Sequence, residues 1–380
     1  MSRYRESELS AKERNWGPAV GFYDLASSVL PGSGFSYNQL AVVALADGNL
    51  FRATYQLYRA LCAEKPHPQA EPNLKKAFYQ ISEAWKNNDL SKTPAMTAGA
   101  GLPQGLVAFY LWLVSNYYHG KSLSERESLE NEILSQLAVD LKQRPTESSP
   151  AKLVMINIAS GHAAQERLVA TKGNSVPLKD SQTISLTLFP GTGDTAQSYL
   201  FFLRLNIRTF LTLLRVFEAE LEQCETTTTS QQGLANRTTT IMQRNLPALR
   251  LYSFWLINSV EVMANEVSQE IAPLQAEFWT RYARNLSLIH AKFPVQYLPQ
   301  PLNYMLDEDE DTIGFKPLDS DQNKYIWYEA GNLKSRTHDV VASERDVPKE
   351  MLSRMRDLLT VGVALAVNEV CCRRSQTRLI

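Results

Sequence analysis

The chain has 380 residues, 44% of them hydrophobic and 21% charged, and its 39 basic and 40 acidic side chains leave a formal net charge of −1. This composition is close to the globular average and excludes a disordered chain. The charge balance excludes a protein covered in positive charge for gripping duplex nucleic acid, although a local basic face stays open.

The cysteines and the N-terminus indicate the compartment. Four cysteines are too few and too scattered for a disulfide framework or a zinc site built of Cys pairs, which favours a reducing environment. Residues 1–15 are charged throughout and lack the apolar stretch of a signal peptide. The longest apolar runs, 106–114 and 358–370, are too short or too interrupted for the roughly 20 residues of a membrane-spanning helix. The sequence therefore predicts an intracellular protein without membrane association.

Apolar residues recur at three- and four-residue spacing along most of the chain, which predicts one helix after another. The predicted helices are 4–14, 16–30, 34–46, 49–64, 71–87, 103–119, 123–142, 150–170, 196–223, 239–271, 273–292 and 346–373. Residues 183–188 alternate like a strand, but without a clear partner we interpret them as an extended connection.

Turn-forming residues divide the chain. Proline and glycine between Asp89 and Pro103 predict a boundary between a first domain at 1–90 and a second at 103–380. The second domain is predicted to be built of helical hairpins. Its predicted irregular loops are 171–195, 224–238 and 294–345.

An internal repeat of 34 residues lies in the first domain. Ala19, Tyr23, Ala26 and Pro31 are followed 34 residues later by Ala53, Leu57, Ala60 and Lys65, with Pro66 one place beyond. This is the spacing of the second helix of a tetratricopeptide repeat. Small residues let antiparallel helices approach closely, while a larger residue fills the groove between repeats. An ordinary pair of helical hairpins would give a similar pattern.

Several motifs carry a more specific resemblance. They are Gly34-Phe35-Ser36-Tyr37-Asn38-Gln39-Leu40-Ala41, Asp47-Gly48-Asn49, Tyr55-x-x-Tyr58-Arg59-Ala60-Leu61, Pro66-His67-Pro68-x-Ala70-x-x-Asn73-Leu74, Leu246-Pro247-Ala248-Leu249-Arg250-Leu251 ending at Trp255, and Asp309-Glu310-Asp311 leading to Gly314-Phe315-Lys316-Pro317-Leu318. Together they resemble the "ever shorter telomeres" DNA/RNA-binding family, which holds telomerase-associated adaptors and the SMG adaptors of nonsense-mediated mRNA decay. The segment 130–141 is similar to the fungal branch of that family.

The resemblance implies an all-α protein. It implies that tetratricopeptide-like repeats at 1–90 are the remnant of a 14-3-3-like phosphoserine-binding domain, followed by a helical hairpin bundle. Family members carry further helices before the first repeat, whereas this chain opens within what should be a groove-lining helix. The sequence is therefore interpreted as N-terminally truncated, and we expect it to bind phosphoserine peptides weakly or not at all.

Three residues are candidates for phosphopeptide binding. Arg3 and Tyr4 match the Arg-Tyr pair of 14-3-3-like grooves, where a guanidinium and a phenol hydroxyl hold the phosphate. A solvated arginine on a frayed first turn is the alternative. Asn38 could hydrogen-bond a peptide backbone in the concave face, or it could brace a turn between repeats.

Arginines at spacings of four and seven follow one stripe of the predicted helix 196–223. Arg204, Arg208 and Arg215 could meet RNA phosphates, and such contacts would make binding salt-dependent. The alternative is the solvated side of an amphipathic helix.

No enzymatic site is evident in the sequence. The acidic run 307–311 lacks the spacing of a calcium loop, because consecutive carboxylates cannot all converge on one ion. The five histidines show no ligand spacing, and the glycines at 191 and 193 lack the βαβ unit of a dinucleotide site. The sequence therefore predicts neither catalysis nor a cofactor nor a metal.

The expected function is that of a non-enzymatic adaptor in nonsense-mediated mRNA decay, located in the nucleus and the cytoplasm. Its implied partners are the phosphorylated RNA-surveillance helicase and decay factors. The alternative is a protein that binds telomerase RNA or single-stranded telomeric DNA. The sequence leaves the oligomeric state open.

Overall fold

A computed structural model describes residues 15–122, 124–143, 150–171, 193–224, 231–265, 267–339 and 346–367. The predicted all-α class is confirmed. Among the described residues, strand is limited to one short antiparallel hairpin, in which β1 (Tyr328–Glu329) pairs with β2 (Asn332–Leu333). No helix of the described part is both long and apolar enough to cross a bilayer.

The N-terminal helices pack as consecutive antiparallel pairs. They are α1 (Gly17–Val29), α2 (Gly34–Ala46), α3 (Leu50–Leu61), α4 (Ala70–Lys86), α5 (Pro94–Thr97) and α6 (Gln104–Tyr118). Apart from the four-residue α5, these helices agree with the predicted ones to within three residues at either end. Capping residues help to fix where these helices begin. For example, the side chain of Asn49 caps α3 by accepting a hydrogen bond from the Arg52 amide at 2.9 Å.

Longer helices form the second half of the fold. They are α7 (Arg126–Gln143), α8 (Ala151–Thr171), α9 (Gly193–Gln223), α10 (Gln231–Ala235), α11 (Thr240–Ala264), α12 (Ala272–Lys292), α13 (Asp307–Glu310) and α14 (Val347–Val367). Short 3-10 turns lie at Val295–Tyr297, Lys316–Leu318, Lys324–Ile326 and Thr337–Asp339. The predicted helix 239–271 ends earlier, at Ala264, and the predicted loop at 224–238 contains α10.

The two copies of the 34-residue repeat are buried to different extents. In the second copy, Ala53, Leu57 and Ala60 lie on α3 and are fully buried. In the first copy, Ala19 and Tyr23 on α1 are half-buried and Ala26 is exposed. The small residues of the second copy therefore let the helices approach closely, as the repeat pattern predicts.

One hydrophobic core runs across the predicted boundary at 89–103. Its buried members extend from Ala41 in α2 to Leu365 in α14. Within it, the rings of Phe78 and Tyr118 lie 5.0 Å apart across the predicted boundary. The boundary residues, which include α5, thus lie on a core to which both sides contribute, and the division at 90 and 103 stays a prediction.

The predicted irregular segment 294–345 is ordered where the structure describes it, and it returns to the repeats. The Glu64 amide donates to the Gly314 carbonyl at 3.1 Å, and the Lys316 amide donates to the Cys62 carbonyl at 2.9 Å. Two residue pairs, 250 and 254 positions apart in the chain, are thereby joined by backbone hydrogen bonds. The predicted helix 4–14, the extended connection 183–188 and the C-terminal end of the predicted helix 346–373 lie outside the described residues.

Candidate functional site

The structure describes only one of the three candidate phosphopeptide-binding residues. Arg3 and Tyr4 lie outside the described residues. Asn38 is only 2% exposed, and its Oδ1 accepts a hydrogen bond from Nδ2 of Asn73 at 3.0 Å. The carboxamide thus joins α2 to α4, and a contact between Asn38 and a bound peptide stays a prediction.

Arg204 occupies a buried position instead of a solvated stripe. Its Nε lies 3.0 Å from Oε2 of Glu130, and Nη1 contacts Glu270. Glu130 is completely buried and also contacts Arg208 and the Tyr117 hydroxyl. Two of the three arginines predicted to meet phosphates are thus already paired with one carboxylate that holds α7 against α9.

The Tyr117 hydroxyl acts as a donor in this cluster. Burial raises the pKa of Tyr117, and the charge of Glu130 raises it further, so the phenol keeps its proton. A buried carboxylate held by two guanidiniums and a phenol is fully engaged. Arg204 is therefore a structural residue in this fold.

Arg208 and Arg215 do share a surface groove. The groove has a volume of about 340 Å³ and runs between α7, α9 and α12, and Lys142 also lines it. The Arg215 side chain is 50% exposed and its Nη2 lies 2.6 Å from Glu277. Three cations thus converge on this groove, and Arg204 is not among its lining residues.

A run of exposed apolar side chains was not singled out in the sequence. Phe22, Leu25 and Val29 lie on α1 at helical spacing, and Leu30 and Phe35 follow; we call these five residues the α1 surface. Their exposed fractions range from 58% to 73%. The signal that could have identified it is the first repeat copy itself, whose helix carries more apolar residues than a single packed face needs.

The acidic run forms an internal ion-pair network. Glu308 and Asp309 are buried, and Arg250 contacts both of them as well as Asp357, the last at 2.5 Å. Arg354 donates to both oxygens of Glu308 at 2.8 Å. We call these five residues the Arg250 network. An arginine inside the apolar stretch 246–256 was the available sequence signal, since a buried guanidinium requires carboxylate partners.

The two neighbouring carboxyls of the network respond oppositely to burial. For Glu308, desolvation is outweighed by the charges of Arg354 and Arg250, which lower its pKa to about 2. For Asp309, desolvation and the adjacent charge of Glu308 outweigh Arg250 and raise its pKa to about 6. No group of three or more His, Cys, Asp or Glu in the described part is arranged to hold a metal ion.

The remaining motif residues are also engaged internally. The Arg59 guanidinium lies 4.6 Å from the ring centre of Tyr37 and 4.9 Å from that of Phe315. Gly314 has a φ of +65°, and a Cβ built on it would lie 2.5 Å from the Cα of Gly32. The motifs that carry the family resemblance therefore join the repeats to the returning segment.

A comparison with protein families identifies one matching family model. The model, described as the Est1 DNA/RNA binding domain, matches residues 19–322. The match includes both the repeat helices and the segment that returns to them.

Individual relatives match over shorter stretches. The telomere elongation protein est1 of Schizosaccharomyces pombe is 42% identical over 83 residues, which are 21% of this chain and 17% of that protein. The nonsense-mediated mRNA decay factor SMG7 of Arabidopsis thaliana is 36% identical over 88 residues, 23% of this chain and 8% of the relative. SMG7 of Danio rerio is 24% identical over 163 residues, 43% of this chain and 12% of the relative. The matched stretches are thus small parts of much longer proteins.

A solved structure shares the fold. The chain in the "Crystal structure of Est1 and Cdc13" matches with a TM-score of 0.59 and 14% identity over 96% of this chain and 65% of that chain. At this identity the likeness concerns the fold alone.

Proposed function

The chain belongs to the Est1 DNA/RNA binding domain family, and on that premise we propose that it is a non-enzymatic adaptor of RNA surveillance that binds phosphorylated protein partners. The relatives named for telomere elongation and for nonsense-mediated mRNA decay support an adaptor role in one of these two processes. The proposed partners are the phosphorylated surveillance helicase and decay factors, met in the nucleus and the cytoplasm.

The α1 surface is the observation that carries this proposal. Of the thirteen large hydrophobic side chains exposed among the described residues, five lie between Phe22 and Phe35. Clustered exposed apolar side chains are typical of protein–protein contacts, whereas singly scattered ones are ordinary. By contrast, two of the three candidate phosphate-binding arginines are paired with Glu130.

The phosphate itself is proposed to bind Arg3 and Tyr4, and its share of the affinity is expected to be small, in keeping with the weak binding of isolated phosphoserine peptides that the sequence predicts. A guanidinium fork matches the geometry of a phosphate, and a phenol hydroxyl adds a further donor. In this proposal the apolar contact provides most of the buried interface area, and the Arg-Tyr pair makes binding depend on phosphorylation of the partner.

A capture assay with purified phosphorylated helicase tests both parts. We expect Leu25→Asp to lower the affinity about tenfold, which corresponds to about 1.4 kcal/mol, because it places a charge in the apolar contact. The matched control is Tyr79→Asp, which changes a side chain that is 67% exposed on α4 and outside the α1 surface. Equal capture by wild type and Leu25→Asp would remove the α1 surface from the proposal.

The same assay addresses the phosphate. Phosphatase treatment of the helicase and Arg3→Glu in this chain are both expected to weaken capture. Arg5→Glu is expected to weaken it less, because Arg5 lies two positions further along the predicted helix 4–14 and so on another face. A helicase that binds equally well before and after dephosphorylation would contradict the phosphate part alone.

The second candidate function is the binding of telomerase RNA or single-stranded telomeric DNA. It is favoured by the groove lined by Lys142, Arg208 and Arg215. Arg208 also contacts Glu130 and Arg215 also contacts Glu277, so a phosphate would share these two guanidiniums with the carboxylates. Lysine and arginine side chains in such a groove would follow a nucleic-acid backbone.

Salt dependence tests this second candidate. We expect Lys142→Gln with Arg215→Gln to reduce the slope of log K against log salt concentration by about 1.4, the value for two lost phosphate contacts on a single strand. These two positions are chosen because replacing Arg204 or Arg208 would remove one of the two guanidiniums that pair with the buried Glu130. The control pair is Lys86→Gln with Lys324→Gln, two lysines whose side chains are 66% and 56% exposed elsewhere. An unchanged slope in the groove variant would contradict the candidate.

A further inference from the structure

Helix α1 is held to the fold on one side. None of its thirteen residues is buried, and it packs mainly against α2. In the second copy of the repeat, the corresponding helix α3 has nine buried residues, because α2, α4 and α8 all pack against it. Within the described part of the chain, the α1 surface is therefore the face of a repeat helix that has one neighbour where its counterpart has several.

The exposed face of α1 carries both protruding side chains and gaps. Phe22, Leu25 and Val29 follow one another at spacings of three and four residues and are exposed. The small residues Gly21 and Ala26 lie next to them and are exposed as well. A Cβ built on Gly21 would meet nothing within 4 Å. Side chains of another helix can therefore enter the gaps between those of α1, as in ordinary helix packing.

This face contains no charge. Asp24 is the one charged residue of α1, and it lies about 160° around the helix from Phe22. An acidic or basic ligand would therefore find no opposite charge on the stripe, whereas two uncharged stripes can meet without repulsion. The surface thus favours an apolar helical partner.

The N-terminal residues of the chain do not provide such a partner. Seven of residues 1–14 are charged, and the apolar ones are Met1, Tyr4, Leu9 and Ala11. A segment with a charge at every second position on average would bring charged groups onto an apolar surface, which costs free energy.

We propose that the α1 surface joins two copies of this chain through an antiparallel pair of α1 helices. In one register of such a pair, Phe22 lies level with the partner's Val29. In the same register, Leu25 lies level with the partner's Ala26, so that a large side chain meets a small one. Because the pair is two-fold symmetric, each of these contacts occurs twice.

The same register extends along the whole exposed face. Leu30 lies level with the partner's Gly21, which again sets a large residue against a small one. The apolar surface covered is on the order of 500 Å² per chain, or about 1,000 Å² in the pair, which is the low end for a specific interface. The dimer is therefore weak and forms as the protein concentration rises.

Self-association of this kind goes beyond the proposed function and regulates the same surface. A second copy and a phosphorylated partner protein compete for α1, so the dimer has to dissociate before the partner is captured. Capture per chain is then highest when the chain is dilute.

Sedimentation velocity of the full chain between about 1 and about 100 μM tests the dimer. We expect the mean mass to rise from that of one chain towards that of two, with a dissociation constant on the order of 10 μM. Leu25→Asp alone and Ala26→Lys alone are each expected to raise this constant at least tenfold, because like charges then meet across the two-fold axis. An equimolar mixture of the two variants is expected to dimerise again, since the new carboxylate at position 25 lies level with the new ammonium at position 26 of the other chain.

Tyr79→Asp is the matched control, because it places the same charge on an exposed side chain of α4 outside the α1 surface. It should dimerise like wild type. Circular dichroism of each variant checks that the helices are intact.

The possible failures are distinguishable. A wild-type chain that is monomeric at 100 μM overturns the dimer, and if Leu25→Asp still weakens capture of the helicase, the proposed function stands without it. A monomeric wild type in which Leu25→Asp also lowers stability in urea would assign the α1 surface to another segment of the same chain. A mixture that stays monomeric while wild type dimerises would overturn the antiparallel α1 pair. A dimer that behaves as expected, together with capture that Leu25→Asp does not change, would contradict the role of the α1 surface in the proposed function alone.

Discussion

Arg250→Met is expected to lower the free energy of unfolding by about 3–5 kcal/mol, because it removes one partner from a buried ion-pair network. Arg250 is 3% exposed and contacts Glu308, Asp309 and Asp357. After the substitution, the carboxyl groups of Asp309 and Asp357 lie in a buried environment without this guanidinium. Equilibrium denaturation in urea at pH 7.5, followed by tryptophan fluorescence, measures the effect.

The pH dependence of this variant provides an internal check. The pKa of Asp309 is already raised to about 6 in the native chain, so its charged form costs stability as the pH rises from about 4 through 6. Loss of Arg250 removes a charge that lowers this pKa, and the penalty then extends to higher pH. The difference between variant and wild type is expected to be smaller at pH 5 than at pH 7.5.

Glu308→Gln is the matched comparison within the same network. The pKa of Glu308 is lowered to about 2, so its contribution to stability is present above its ordinary value of 4.5 and is lost as the pH falls towards 2. Glu308→Gln should therefore cost more stability at pH 7 than Asp309→Asn. Equal costs for the two, or an Arg250→Met variant as stable as wild type, would show that the network does not hold the returning segment.

Gly314→Ala is expected to lower the free energy of unfolding by about 3 kcal/mol, for two reasons that a control can separate. A φ of +65° costs a non-glycine residue about 1–2 kcal/mol. In addition, the new Cβ would lie 2.5 Å from the Cα of Gly32, a backbone atom that cannot rotate away. The segment would have to move off the turn between the first and second repeat helices.

Gly331→Ala is the control for the backbone conformation. Gly331 has a φ of +83°, but a Cβ there meets nothing within 4 Å. Gly331→Ala should therefore lower the free energy of unfolding only by the roughly 1–2 kcal/mol due to the backbone conformation. The shift in the midpoint of urea unfolding measures this loss. If Gly314→Ala costs no more than Gly331→Ala, the close approach of residues 32 and 314 does not contribute to stability.

The sequence by itself determined the local structure of this protein. Helices α1 to α4, α6 to α9, α12 and the start of α14 follow from apolar spacing and from caps such as Asn49, because a helix is specified by residues within a few positions of one another. The burial of Ala53 and Ala60 was likewise predictable from the 34-residue repeat, since each small residue marks a contact with a helix adjacent in the chain. The family was recognisable for the same reason, through short contiguous motifs.

Only the tertiary structure decided which charged and polar groups meet. Arg204 reads as one member of a basic stripe, yet it pairs with Glu130, 74 positions away. The acidic run 307–311 falls in a predicted irregular loop, yet Asp309 contacts Arg250, 59 positions away. Helical periodicity predicts the face of a helix on which a side chain lies, but it does not predict what packs against that face. The partner of a buried charge is fixed by how helices that are distant in the chain pack together, and so is the groove beside Arg215.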